Sequence, residues 1–374
     1  MSGSLRGVKV LDFSTLLPGP LATLFLADAG ADVIKVEKPI NGEDMRHYPP
    51  GWGESSMNFS LLNRGKRSVA IDLKNAEDVN SIRTFVKDVD IVVEQFRPGV
   101  MKRLGLDYDS MKRINPRVIY CSITGFGQDG PKKNLAGHDI NYIGDAGLLS
   151  LSSGPKSQPV VPPALIADIA GGSYPAVINI LLALRERDLS GHGCHLDISM
   201  TDGVLPFLFW AIGKTSSSKE DPVNGGDRLT GGSPRYRLYP TSDNRIVAAG
   251  PLEDKFWSAF TAAIGLDEEF IDDAIDPQRT ILEVEKIISS HDAIHWESIF
   301  KEADCCCTIV KTVSEALADE QFAFRGVFDR WLTNDLGEKV PAIPLPIANS
   351  LRDNDRVSDK APSLGDHKLK QFES

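Results

Sequence analysis

Two rhythms of apolar residues alternate through the N-terminal half of this chain. Val8-Lys9-Val10-Leu11-Asp12-Phe13 predicts a first strand. Pro18-Gly19-Pro20 breaks it, and Leu21 to Ala29 has a helical pattern closed by Gly30, a residue suited to a helix C-terminus. Asp32 to Glu37 is the next strand, stopped by Pro39. Strand, helix and strand at this spacing make a βαβ unit, so a parallel sheet covered by helices is expected. The pattern continues with a strand over Ser68–Leu73, a helix over Ala76–Val86 and a strand over Asp90–Glu94. A helix over Tyr108–Ile114 and an apolar strand over Arg117–Ile123 follow, and a long core helix runs from about Gly172 to Arg187.

The character changes over 214–234, where a Ser run, mixed charges and two Gly-Gly pairs predict a linker. Beyond it, strands over Tyr236–Tyr239 and Arg245–Ala249 and helices over Glu253–Ile264, Ile281–Ser289 and His295–Glu302 predict a smaller α+β domain at 235–319. The expected organisation is therefore α/β: a large domain at 1–213, with the segment 320–374 packing back on it, and the small domain after the linker.

Composition narrows the class. At 374 residues, 41% hydrophobic and 25% charged, the chain suits two globular domains. A net charge of −11 argues against nucleic acid as a partner, which needs a clustered positive footprint. The apolar runs, such as Val204–Ile212, are short for a membrane span, and Met1 to Gly7 lacks a signal-peptide core, so no membrane partner is expected. The five Cys show no C-x-x-C spacing, and free thiols fit a reducing cytoplasm.

Gly125-Phe126-Gly127-Gln128-Asp129-Gly130 satisfies the dinucleotide pattern, but Pro131-Lys132-Lys133-Asn134 follows where an amphipathic helix should begin. A glycine loop at a strand end, able to border a ligand, is the better reading. Cations recur after strands: Lys38, Arg64, Lys66, Arg67, Lys74, Arg97 and Arg103. Gathered at one sheet edge they would suit a polyanion such as a nucleotide diphosphate, although each alone reads equally well as a solvated charge. His192 and His195 read as a turn into the strand Cys194–Ile198 in preference to metal ligands, and no metal is expected.

The sharpest chemistry lies in Gly137-His138-Asp139-Ile140-Asn141-Tyr142 and in Asp168. His138 can accept a proton near neutral pH, and Gly137 permits close approach of backbone to ligand. Asp168 lies among Leu165, Ile166, Ile169 and two glycines, where desolvation would keep a carboxyl group protonated. The competing, less favoured reading makes it the N-cap of the helix that opens at Gly171. Glu253 could support a charged His, or simply serve the first turn of its helix.

Taken together, the motifs resemble the CaiB/BaiF-like family III CoA-transferases, most closely their α-methylacyl-CoA racemase branch. The resemblance covers almost the whole chain, through Leu16 to Pro20, Ala27 to Pro39, Asn63 to Ser68, Phe96 to Val100, Asn115 to Tyr120 and Gly125 to Pro131. Gly-His-Asp-Ile-Asn-Tyr at 137–142 with Asp168 is the racemase pattern, where the transferases commonly carry Gly-Tyr-Asp. By resemblance His138, Asp168 and Glu253 are catalytic. Lys38, Asp72, Leu73, Lys74, Arg97 and Arg103, with Gly137 and Asp139 to Tyr142, would bind CoA, which enters as part of the substrate and not as a separate cofactor. The implied fold is a Rossmann-like large domain and a small domain in an interlocked homodimer. Asp145 and the run Cys305 to Cys307 depart from the family pattern.

The implied activity is interconversion of R and S 2-methyl-branched acyl-CoA thioesters. His138 would remove the α-proton on one face and Asp168 would return one on the other. The alternatives are CoA transfer between carboxylic acids through an Asp168 intermediate, and CoA binding without catalysis. Leu148, Leu149 and Leu151 are candidates for the acyl channel.

Overall fold

The computed structural model describes residues 3–152, 154, 158–353 and 360–372. They form two compact units, one of 1–146, 164–206 and 321–374, the other of 147–163 and 207–320. The first unit is built on six parallel strands: β1 (Lys9–Asp12), β2 (Asp32–Glu37), β3 (Arg67–Ala70), β4 (Ile91–Glu94), β5 (Ile119–Thr124) and β6 (His195–Ser199). Their spatial order is β3-β2-β1-β4-β5-β6. The order reverses between β1 and β4, whose register runs Val10↔Ile91 to Asp12↔Val93. Such a doubly wound sheet opens a crevice at the carboxyl ends of those two strands.

The strands read as near-continuous apolar runs because helices cover both faces of a parallel sheet. The core joins Leu11, Ile34, Val69, Val92 and Tyr120 to Ile82 and Phe85 of α2 (Ala76–Phe85). On another side, Leu21, Leu24 and Phe25 of α1 (Pro18–Asp28) pack with Leu62 and Leu345, so the C-terminal segment contributes to this core. Asp353 N–H also bonds the Asp28 carbonyl at 3.0 Å.

Several elements differ from expectation. Pro18 begins α1 instead of merely breaking the chain, since its fixed φ suits the first helical position. The long helix starts earlier, with a π-helical turn over Ala167–Ser173 that leads into α4 (Tyr174–Ser190). The wider turn matches its glycines: a Cβ on Gly171 would overlap the Met200 carbonyl, and one on Gly172 would sit 2.9 Å from Met200 Cγ. The run Ala167–Ser190 is 24 residues, long and apolar enough by length and composition to cross a membrane, which corrects the expectation that every apolar stretch is too short. In the fold 44% of its apolar window is buried, and it packs on α1, β5 and β6.

The second unit holds an antiparallel sheet in the order β9-β8-β7, from β7 (Arg237–Pro240), β8 (Ile246–Ala249) and β9 (Cys307–Ile309). Helices α5 (Asp254–Ile264), α6 (Pro277–Ile288) and α7 (Ala293–Ala303) bury Trp257, Phe260, Ile281, Trp296 and Phe300 against it. The expected linker begins inside a helix, Phe209–Ser218, whose apolar first half outweighs the following Ser run. Cys307 is a strand residue paired with Ala249, and Cys305 is buried beside it.

Candidate active site

Two cavities lie at the carboxyl edge of the sheet, the larger at the crevice between β1 and β4 and the smaller beside it at the ends of β1, β2 and β3. One, of about 590 Å³, is lined by Thr15, Leu16, Gln95, Phe96 and Arg97 from the ends of β1 and β4, and by Gly125 and Phe126 from the end of β5. Gly137, His138, Asn141, Tyr142 and Asp168 complete it. The other, of about 340 Å³, is lined by Lys38, Asp72, Leu73 and Lys74. Thr15, Leu16 and Phe96 border both, so the two share a wall.

His138 stands at the N-cap of α3 (Asp139–Asp145) with extended backbone. Its N–H donates to Asn141 Oδ1 at 3.0 Å, and its carbonyl accepts from the Asn141 N–H at 2.8 Å. These bonds fix the turn that presents the imidazole. The N–H groups of Asp139 and Ile140 head the helix, where no intrahelical acceptor is available to them. The Asp139 side chain is buried, and its Oδ1 accepts the Asp168 N–H at 2.9 Å. Ile140 is exposed and lines neither cavity.

Asp168 lies in the π-helical turn and does not cap a helix. Burial pushes its carboxyl group up to about 6; the Asp139 carboxylate adds to the rise and His138 opposes it. Tyr142 closes the cavity, its hydroxyl donating to the Gly137 carbonyl at 2.6 Å and its ring set edge-on to Phe126. Burial pushes this phenol up as well, with Asp168 in the same direction and Arg97 against it.

The glycine loop after β5 binds no helix terminus. Gln128 N–H instead donates to both Asp197 carboxylate oxygens, at 3.1 and 2.9 Å. His195 opens β6, meets Ser122 Oγ at 3.0 Å and stacks on Tyr108. Among the described residues no group of three or more His, Cys, Asp or Glu converges as a metal site.

The expected row of cations divides. Lys38 and Lys74 line the smaller cavity and Arg97 the larger, while Arg103 lies exposed on the helix Val100–Leu104 and lines neither. Three others are structural. Arg64 pairs with Asp28, and Arg67 Nε donates to Asp32 at 2.9 Å. Lys66 is fully buried, bonded to Thr23 Oγ1 at 2.7 Å and Asn63 Oδ1 at 2.9 Å, and burial pushes it down to about 8. Asp145 forms an ion pair with Lys132 at 3.0 Å.

Glu253 stands at the N-cap position of α5 in the second unit without a capping hydrogen bond from its side chain, and it lines a cavity there with Arg228 and Arg235. Leu148, Leu149 and Leu151 belong to that unit too, and Leu151 faces a separate cavity with Leu229, Leu238 and Cys306. Thr15, Leu16, Gln95, Phe96, Thr124 and Met200 were not anticipated as site residues. Their signal was positional, since each lies at or just after the carboxyl end of a sheet strand.

Fold and site thus define a doubly wound α/β protein with an imidazole and a raised carboxyl group at the crevice of its sheet. The chain belongs to CoA-transferase family III, whose sequence profile matches residues 5–368, and it is an enzyme of that superfamily. Alpha-methylacyl-CoA racemase of Mus musculus is 34% identical over 369 residues, covering 97% of this chain and 91% of that protein. Succinate–glutarate CoA-transferase of Agrobacterium fabrum is 33% identical over 379 residues, covering 97% and 93%. A CAIB/BAIF family protein from Brucella suis superposes with a TM-score of 0.85 at 30% identity, covering 100% of this chain and 99% of the other.

Proposed function

We propose that this enzyme interconverts the R and S forms of 2-methyl-branched acyl-CoA thioesters. The observation that carries the reading is that His138 and Asp168 open into one cavity, with the carboxyl group held near 6. A thioester acidifies its α-carbon. His138 takes the α-proton, the N–H of Asp139 at the head of α3 receives the developing enolate oxygen, and protonated Asp168 delivers a proton to the opposite face. The two groups exchange roles in reverse. Lys38, Lys74 and Arg97 suit the phosphates of CoA, and the chemistry calls on no redox cofactor.

The same proposal includes a homodimer, in which Glu253 of a second copy would steady the His138 charge, working in a reducing cytoplasm that suits the five free thiols. CoA transfer is the second reading. It is supported by the carboxyl group of Asp168 in the cavity and by the similarity to a succinate–glutarate CoA-transferase.

One enantiomer of a 2-methylacyl-CoA incubated in D2O separates them. Racemisation predicts α-deuterium incorporation and inversion, both lost in His138→Ala and Asp168→Asn. If the protein instead yields an Asp168 adduct trapped by hydroxylamine, with no α-exchange, transfer replaces racemisation.

A further inference from the structure

The loop between β1 and α1 is held by charged groups that the proposed chemistry does not use. Ser14 N–H donates to Asp12 Oδ1 at 2.9 Å, and the Ser14 carbonyl accepts from Lys35 Nζ at 2.9 Å. Two residues on, Leu16 N–H donates to Glu43 Oε2 at 2.8 Å. Lys35 and Glu43 pair with each other at 3.2 Å, and their side chains are 0% and 1% exposed. Leu16 has φ +62, a conformation that a branched residue keeps only where its surroundings over-determine it.

Between the two clamped groups stands Thr15. Among the described residues its amide, carbonyl and hydroxyl have no hydrogen-bond partner. Thr15 and Leu16 form the wall common to both cavities. A CoA thioester with its nucleotide in the smaller cavity and its reacting carbon in the larger must lay its amide-bearing arm across this wall.

We infer that Lys35 and Glu43 are positioning residues: together they fix the Thr15–Leu16 peptide as a sill that aligns the arm of the thioester. The clamps occupy the neighbouring carbonyl and N–H, which leaves the Thr15 peptide to meet an amide of the arm. This rests on the reading of the substrate as an acyl-CoA, but not on whether racemisation or transfer follows.

The test is the double variant Lys35→Met/Glu43→Leu, which removes both charges at once. Removing one partner would leave a buried charge unpaired; removing both does not, and Asp12 and Glu37, which also face Lys35, keep Lys66 and Arg46, so the remaining cost is the release of the Ser14 carbonyl and Leu16 N–H. Calorimetry would measure binding of an acyl-CoA and of 3′-phosphoadenosine diphosphate, which lacks the arm, in each protein. The expected result is an arm contribution, the ratio of the two affinities, reduced about tenfold or more; the ratio cancels any change in fragment affinity caused by Glu43, which also lines the smaller cavity. The kcat should fall with it. Leu16→Gly, which tolerates positive φ without the clamp, should reduce the same ratio and serves should the double variant not fold. An unchanged ratio in a folded variant overturns the inference, as does a wild-type protein that binds thioester no better than fragment. Absence of α-deuterium exchange in wild type would sink the racemase reading alone.

Discussion

Asp139 Oδ1 accepts the backbone N–H of Asp168 at 2.9 Å, so one carboxylate ties together the two segments that carry the acid–base pair. The bond joins the first residue of α3, next to His138, to the π-helical turn that holds Asp168. It also sets a buried negative charge beside Asp168, which raises that carboxyl group further above its ordinary value. Asp139→Asn keeps an acceptor for the N–H and removes the charge, so the pKa of Asp168 should fall. Racemisation needs one proton shared between the pair. The alkaline limb of the kcat/KM profile should therefore move to lower pH, with a larger loss of rate at pH 8 than at pH 5.5. An unmoved limb would show that Asp139 has no electrostatic role.

Glu94, buried at the end of β4, gives a stability prediction with a definite sign. Burial pushes its carboxyl group up to about 7, Asp197 adds to the rise, and bonds from Ser122 and the Phe96 N–H oppose it. The folded chain thus holds a proton that the unfolded chain has already released. Its stabilising effect is full below the unfolded pKa of 4.5 and is lost as pH rises through about 7. A shift of that size corresponds to about 3 kcal/mol. Glu94→Gln should be more stable than wild type at pH 8, by about 1–3 kcal/mol, and similar to it near pH 4.5. Urea unfolding at the two pH values measures the difference, and parallel curves would refute it.

The parallel sheet was legible because strands buried on both faces carry few polar residues, and Pro and Gly punctuate the connections. His138 and Asp168 were legible for a different reason: the local chemistry of each segment is unusual, and the motif spacing resembles a family. Lys35, Glu43, Lys66 and Glu94 were not. In Asp32-Val33-Ile34-Lys35-Val36-Glu37 the lysine reads as a solvent-facing position of an alternating strand, yet it is fully buried. Its burial depends on Glu43 and the Ser14 carbonyl, reached only once the chain has folded. No local pattern records such a partner. For the same reason Lys66 and Arg64 looked like ligand-facing cations when they are structural.

Gly125 and Gly137 are constrained by space. A Cβ on Gly125 would overlap the Tyr142 ring, and one on Gly137 would lie 2.7 Å from Tyr142 Cε1. Gly125→Ala should push Tyr142 off the Gly137 carbonyl, costing about 1–3 kcal/mol of stability and roughly tenfold or more in kcat/KM. Gly130 is the control. It has φ +90 and open space around its Cα, so Gly130→Ala meets backbone strain alone. That variant should lose about 1–2 kcal/mol and keep kcat/KM near wild type. Equal catalytic losses in both would mean that the loop as a whole, and not the fit of Tyr142, governs the rate.

Arg97 and Arg103 follow the same strand, and their sequence context does not tell them apart. The fold does: Arg97 lines the cavity of His138 and Asp168, whereas Arg103 lies three residues into a short helix and lines neither cavity. Arg97→Ala should therefore raise KM for an acyl-CoA about tenfold or more, the loss expected for a charge-assisted contact. Arg103→Ala should leave it within about twofold. Salt provides an independent check, because screening weakens attraction between exposed charges and a polyanion. KM should climb with ionic strength in wild type and in Arg103→Ala, and climb less in Arg97→Ala. A loss confined to Arg103→Ala would place the phosphates of the substrate outside the β1–β4 crevice, and the assignment of both cavities would fall with it.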